Sequence, residues 1–166
     1  LGIFLDVSTG GGPEWSYGYD PDVLEFSIVV AASIAAWGLE QGYQVGLYTN
    51  GLHRGGRMSA VVEPGRSAGQ LETILLALGR LQTLPGERFE EMVSREARQL
   101  PFGTTAVVVS AGLSEPVLGA LRQLRGSGHG AIAILTGRED APAGGVAVRR
   151  AGPPEGWRDI EMVAGR

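Results

Sequence analysis

Asp6, Ser8 and Thr9 follow directly on an apolar run at the start of the chain, and Ser110 follows directly on a second run over residues 106–109. A carboxyl group and hydroxyls placed at strand ends can hold a ligand through oxygen alone, without nitrogen or sulfur donors. The remaining composition removes most other chemistry. There is no cysteine, which excludes thiolate zinc sites, cysteine nucleophiles and dithiol redox chemistry. All 14 basic residues are arginine, so Schiff-base chemistry and a phosphate-loop lysine are excluded as well. His53 and His129 stand in different loops, without the paired spacing of a zinc site. Gly10, Gly11 and Gly12 lack the spacing of a dinucleotide fingerprint, and Ser110-Ala111-Gly112 lacks the preceding glycine of a nucleophile elbow. Plainer roles compete at every position. Asp6 can be satisfied by loop amides and hydroxyls, Ser8 and Thr9 can be turn residues, and Ser110 can simply close a strand. Trp15, Tyr17 and Tyr19 crowd one loop without helical periodicity. They form either a contact surface of the kind that interfaces favour or a cover over the neighbouring helix.

The elements that must position these residues come from hydrophobic patterning. The chain has 166 residues, 43% hydrophobic and 19% charged, which is the balance of one soluble globular domain. Its net charge of −4 opposes a nucleic-acid footprint. It opens at Leu1 inside an apolar run, as a piece of a longer protein would. Residues 1–7 and 106–109 are expected as strands buried on both faces, with strands also over 44–48, 131–135 and 146–148 and a third strand over 58–62 antiparallel to the second. Asp20 and Pro21 supply the cap and first turn of a helix running to about Gln41, apolar nearly all round and so expected to pack on several sides. The apolar stretch 26–39 is interrupted by Ser27, Ser33 and Gly38 and falls short of the roughly 20 residues that span a bilayer, so a buried helix is expected rather than an anchor. Ser67 and Gln70 match a capping box ahead of Leu71, Ile74, Leu75 and Leu78. Further helices are expected through Phe89, Met92, Val93 and Ala97, and after Ser114 through Val117, Leu118, Leu121 and Leu124. Alternating strands and helices predict an α/β, Rossmann-like three-layer sandwich whose mostly parallel central sheet has one antiparallel edge strand. Its ligand edge is the carboxyl ends of the strands. The domain is expected to span residues 1–150, with 151–166 as a tail or final element.

The stretch Phe4-Leu5-Asp6-Val7-Ser8-Thr9-Gly10 resembles the metal-ion-dependent adhesion motif of von Willebrand factor A domains, Asp-x-Ser-x-Ser after a buried strand, with Gly10 in place of the last serine. The likeness continues through Ala31-Ala32-Ser33-Ile34-Ala35, Gly42-Tyr43-Gln44-Val45-Gly46-Leu47, Pro64-Gly65-Arg66 and Val107-Val108-Val109-Ser110, and on to His129. On these segments the chain resembles the von Willebrand factor A-like bacterial domain-of-unknown-function family fifty-eight. That resemblance implies a non-catalytic interaction module in the cytoplasm, part of a membrane-tethered protein working with a MoxR-type AAA+ ATPase. It also implies a degenerate ion site at Asp6, Ser8, Ser67 and Ser110. Ser67 would take the place of a threonine and Ser110 that of an aspartate, so no cofactor is expected beyond weakly held magnesium. Trp15, Tyr17 and Tyr19 would face the partner.

A second resemblance gives the alternative. Asp6 and Ser110 are similar to the nucleophile and phosphate-holding serine of magnesium-dependent phosphotransferases of haloacid-dehalogenase type. The general-acid aspartate of that family is Ser8 here, and its lysine has no counterpart beyond Arg122 or Arg125. Glu139 and Asp140 would have to serve as its metal carboxylates.

Overall fold

A computed structural model describes residues 1–9, 20–53, 60–138 and 145–152. In chain order the elements are β1 (Gly2–Leu5), α1 (Pro21–Glu40), β2 (Val45–Thr49), β3 (Gly51–His53), β4 (Ala60–Gly65), α2 (Gln70–Leu78), β5 (Leu81–Pro85), α3 (Phe89–Ala97), β6 (Thr105–Ser110), α4 (Glu115–Gly126), β7 (Gly130–Leu135) and β8 (Ala147–Arg150). The main sheet has the order β4-β2-β1-β6-β7-β8. All neighbours are parallel except β4, which runs antiparallel to β2 along one edge. The protein is therefore an α/β, Rossmann-like sandwich with β1 at its centre, between β2 and β6.

Alternation along β1 shows why this strand has no polar face. Ile3 and Leu5 point into one layer, packing with Ala31 and Ala35 of α1 and Ile74 and Leu78 of α2. Phe4 points into the other, with Met92 and Val93 of α3 and Leu121 of α4, and its ring stacks on Tyr48 at 4.8 Å between centroids. A strand buried on both sides must be apolar up to the point where it leaves the sheet. The first polar side chain after it, Asp6, marks that point.

Asp20 Oδ1 accepts the free amides of Asp22 and Val23 at 3.0 and 3.3 Å, Pro21 fills the first helical position, and Gly42 leaves the helix at φ +80°. α1 corrects the expectation of packing on several sides. One face, carrying Leu24, Ala31, Ala35 and Gly38, lies on the sheet beside α2, while Val29 and Trp37 on the other face are 45% and 53% exposed. By length and composition α1 could cross a membrane. In this fold its inner face forms part of the core.

Two further expectations are revised. The antiparallel edge strand begins at Ala60 and ends at Gly65, including Pro64, which an edge strand tolerates. The residues before it, 54–59, lie outside the described part of the chain. Ser67 and Gln70 do not form a capping box. α2 starts only at Gln70, Gly69 is its cap residue, and the Gln70 side chain instead donates to the carbonyls of Val45 and Glu63, both at 2.8 Å. β3 and β5 were not anticipated. They pair antiparallel as a separate two-stranded sheet, and β5 carries the chain from the α2 layer to the α3 layer.

The helical template over α2 treats Ile74 and Leu75 alike, yet Ile74 is fully buried and Leu75 is 46% exposed. Ile74→Ala is expected to cost about 2–5 kcal/mol of stability, and Leu75→Ala no more than about 0.5 kcal/mol, in urea denaturation of the two variants.

Candidate functional site

The sheet order brings the carboxyl ends of β1, β2 and β6 side by side, and each leaves the sheet on a polar residue: Asp6, Asn50 and Ser110. Asn50 links the first two. Its Oδ1 accepts the Val7 amide at 3.0 Å, and its Nδ2 donates to Asp6 Oδ1 at 3.0 Å. The Ser8 amide donates to the same Asp6 oxygen at 2.9 Å. Ser110 Oγ lies 3.0 Å from the other oxygen, Asp6 Oδ2, which joins β6 to the group. A second hydroxyl pair extends the network to α1 and to the end of β7. Ser27 Oγ and Thr136 Oγ1 are 2.7 Å apart, Ser27 also donates to the Val23 carbonyl, and the Thr136 amide donates to the Ser110 carbonyl.

The Ser110 hydroxyl is 2.6 Å from the Gly112 carbonyl oxygen, which can only accept, and 3.0 Å from Asp6 Oδ2. One hydroxyl has one proton. Given to Gly112, it leaves the Asp6 contact a hydrogen bond only if the carboxyl group carries a proton of its own. Burial acts in the same direction. Asp6 is 8% exposed, and desolvation raises its pKa above the ordinary 3.8, outweighing the bonds from Ser8, Asn50 and Ser110 that favour the charged form. Desolvation favours the neutral acid, against hydrogen bonds that favour the charged one.

The loops beyond these residues are closely packed. A Cβ on Gly137 would sit 2.1 Å from the Ala111 carbonyl oxygen, so the segment after β7 rests directly on the loop after β6. The Gly86 amide donates to the Asn50 carbonyl at 2.7 Å, tying the end of β5 to the same edge.

Of the residues proposed from sequence, the structure brings Asp6, Ser8 and Ser110 together and places Ser67 elsewhere. β4 runs antiparallel to β2, and its last residue, Gly65, pairs with Val45, the first residue of β2. Ser67 thus lies at the amino edge, the opposite end of the sheet from Asp6, which removes it from the site. Gly10, Trp15, Tyr17, Tyr19, Glu139 and Asp140 lie outside the described residues. Arg122 pairs with Glu115, and Arg125 donates to the Gly145 carbonyl.

Sequence reasoning missed Asn50, Ser27 and Thr136. For Asn50 a signal existed: it is the first residue beyond a fully buried strand adjacent to β1, the same position that singled out Asp6 and Ser110.

As a cation site the group is a poor fit. It offers one carboxyl group, whose oxygens are engaged by Ser8, Asn50 and Ser110, and among the described residues no three His, Asp or Glu side chains gather as a metal set. A scan against protein-family models finds no match, and a search of curated proteins finds none either.

The raised pKa of Asp6 has a definite sign in stability. The native state keeps a proton that the unfolded chain gives up near pH 3.8, so this group's contribution is greatest below that pH. The contribution declines as pH rises through the folded value and is level above it. Asp6→Asn, which mimics the neutral acid, should be at least as stable as the wild type at pH 7, with its relative advantage shrinking at pH 4. Asn50→Ala, which takes one of two donors from Asp6 Oδ1 and leaves the Val7 amide without its partner, should cost about 1–3 kcal/mol. Urea denaturation at the two pH values checks both.

Proposed function

We propose that this domain is a non-catalytic protein-interaction module whose ion site has degenerated into a hydrogen-bonded latch. The observation that carries this reading is the engagement of Asp6. Its carboxyl group is buried and spends its bonds on Ser8, Asn50 and Ser110, so a substrate phosphate or a partner's ion would compete with the contacts that join the loops. A nucleophilic or metal-holding aspartate acts in its charged form, which burial makes costly here. The likeness of the sequence to the adhesion motif supports the same reading, with Gly10 and Ser110 as the points of decay.

The contact surface in this proposal is the loop between β1 and α1, joined by the loops that follow β2 and β6 at the same edge. Both ends of the first loop are held there, since the Asp20 amide donates to Thr9 Oγ1 at 2.8 Å. Trp15, Tyr17 and Tyr19 supply the aromatic contacts. The resemblance to family fifty-eight directs the search for the partner to a MoxR-type AAA+ ATPase, and it makes the parent protein a membrane-tethered one with this domain in the cytoplasm.

Surface-immobilised domain titrated with the MoxR-type ATPase of the same organism provides the test. Trp15→Ala and Tyr17→Ala should each weaken binding by about 2 kcal/mol if they are interface anchors, with folding unchanged by circular dichroism. Undiminished binding by the double variant would contradict the assigned surface. Steady magnesium-dependent phosphatase turnover lost on Asp6→Asn would overturn the non-catalytic reading in favour of the phosphotransferase one.

A further inference from the structure

Asn50 is the one asparagine in the chain, and Gly51 follows it. Asparagine is chemically labile, and most so before glycine, where the absence of a Cβ lets the next backbone nitrogen reach the side-chain carbonyl carbon. Both residues are nevertheless required where they stand. Asn50 accepts the Val7 amide and donates to Asp6 Oδ1 at once, which takes a side-chain amide. A Cβ on Gly51 would lie 2.8 Å from Val7 Cγ1, so any other residue there would push aside the buried side chain next to Asp6. The hydrogen-bond network at the carboxyl edge is thus built on the pair of residues in this chain most prone to deamidate.

We propose that Asn50 is a deamidation site that the folded latch holds shut, so that opening of the carboxyl edge is recorded as an irreversible covalent change. In the reaction the Gly51 nitrogen loses its proton to solvent base and attacks Asn50 Cγ. The N–Cγ bond forms, the Cγ–Nδ2 bond breaks, and ammonia leaves after taking a proton from solvent. Water then opens the cyclic imide to aspartate or to isoaspartate. In the folded protein every reacting group is engaged. The Gly51 amide donates to Thr49 Oγ1 at 3.2 Å, both polar atoms of the Asn50 side chain are bonded, and the Asn50 carbonyl accepts the Gly86 amide at 2.7 Å. Asn50 is 1% exposed, so water is excluded as well. Turning Cγ toward the Gly51 nitrogen would break the bonds to Val7 and Asp6. Gly51 opens β3, which forms a sheet of only two strands with β5, and such a sheet adds little stability of its own. Opening of this edge, short of unfolding the chain, is therefore enough to release the reaction. The product does not rebuild the latch: where the amide gave Asp6 a donor, a second carboxyl group meets it, and isoaspartate also lengthens the backbone between β2 and β3. The site depends on these bonds alone and stands whether or not the domain binds a protein partner.

The test incubates the full chain in native buffer and in urea at the same pH and temperature, following deamidation by intact mass and isoaspartate by enzymatic methylation. Deamidation of the folded chain is expected to be slower than in urea by about tenfold or more. Thr49→Val, which removes the acceptor of the Gly51 amide, should speed the reaction in the folded state and leave the rate in urea unchanged. Asn50→Gln should abolish the mass gain in urea. Chain deamidated in urea, separated by ion exchange and refolded, should melt below the wild type, as should Asn50→Asp. The proposal is overturned by equal rates in the folded and unfolded chains, by a mass gain that persists in Asn50→Gln, by an unchanged rate in folded Thr49→Val, or by deamidated chain that melts with the wild type. The comparison of wild-type rates stands even if Thr49→Val does not fold.

Discussion

The carboxyl edge of this fold is organised by the bonds around one buried acid. Three parallel strands end side by side, and Asp6 ties their loops together, because each of its oxygens is met by a group from a different segment: Ser8 and Asn50 on one side, Ser110 on the other. A buried carboxylate would be costly here, so the arrangement favours the neutral acid. The same burial that makes Asp6 a fixed point for the loops raises the cost of the charged form that an ion would need.

The latch depends in turn on the two cores beneath it. β1 sends Ile3 and Leu5 to one helical layer and Phe4 to the other, and its burial on both faces fixes where the strand ends and hence where Asp6 emerges. The absence of side chains at two glycines brings the remaining loops onto this frame: Gly137 against the Ala111 carbonyl, and Gly51 against the Val7 side chain. Any partner surface at this edge is carried on a scaffold held by packing and by these hydrogen bonds.

The central strands and the sheet order could be read from the sequence because β1, β2 and β6 are unbroken apolar runs, and double burial leaves few alternatives for their place. Asp6 and Ser110 could be read for the same reason, as the first polar residues after such runs. Ser67 was misplaced because its role depended on the direction of a short edge strand, and local pattern around residues 60–70 does not show which end of the sheet the following helix approaches. Asn50 went unnoticed as a neutral residue with no motif around it, and Ser27 because a lone hydroxyl within an apolar helix carries no periodic signal. β3 and β5 escaped detection because each is short and its partner lies some thirty positions away, so neither strand shows a local alternation.

Central to this account is that burial makes the charged form of Asp6 costly within its hydrogen-bond network. Selective carbon-13 labelling of aspartate carboxyl groups, with the Asp6 signal assigned through Asp6→Asn, permits a direct NMR titration of that one group. The account predicts a midpoint above 3.8 and a signal unmoved by millimolar magnesium near neutral pH. A midpoint at or below 3.8, or a saturable magnesium-dependent shift of the Asp6 signal, would contradict it and restore Asp6 as a charged ligand.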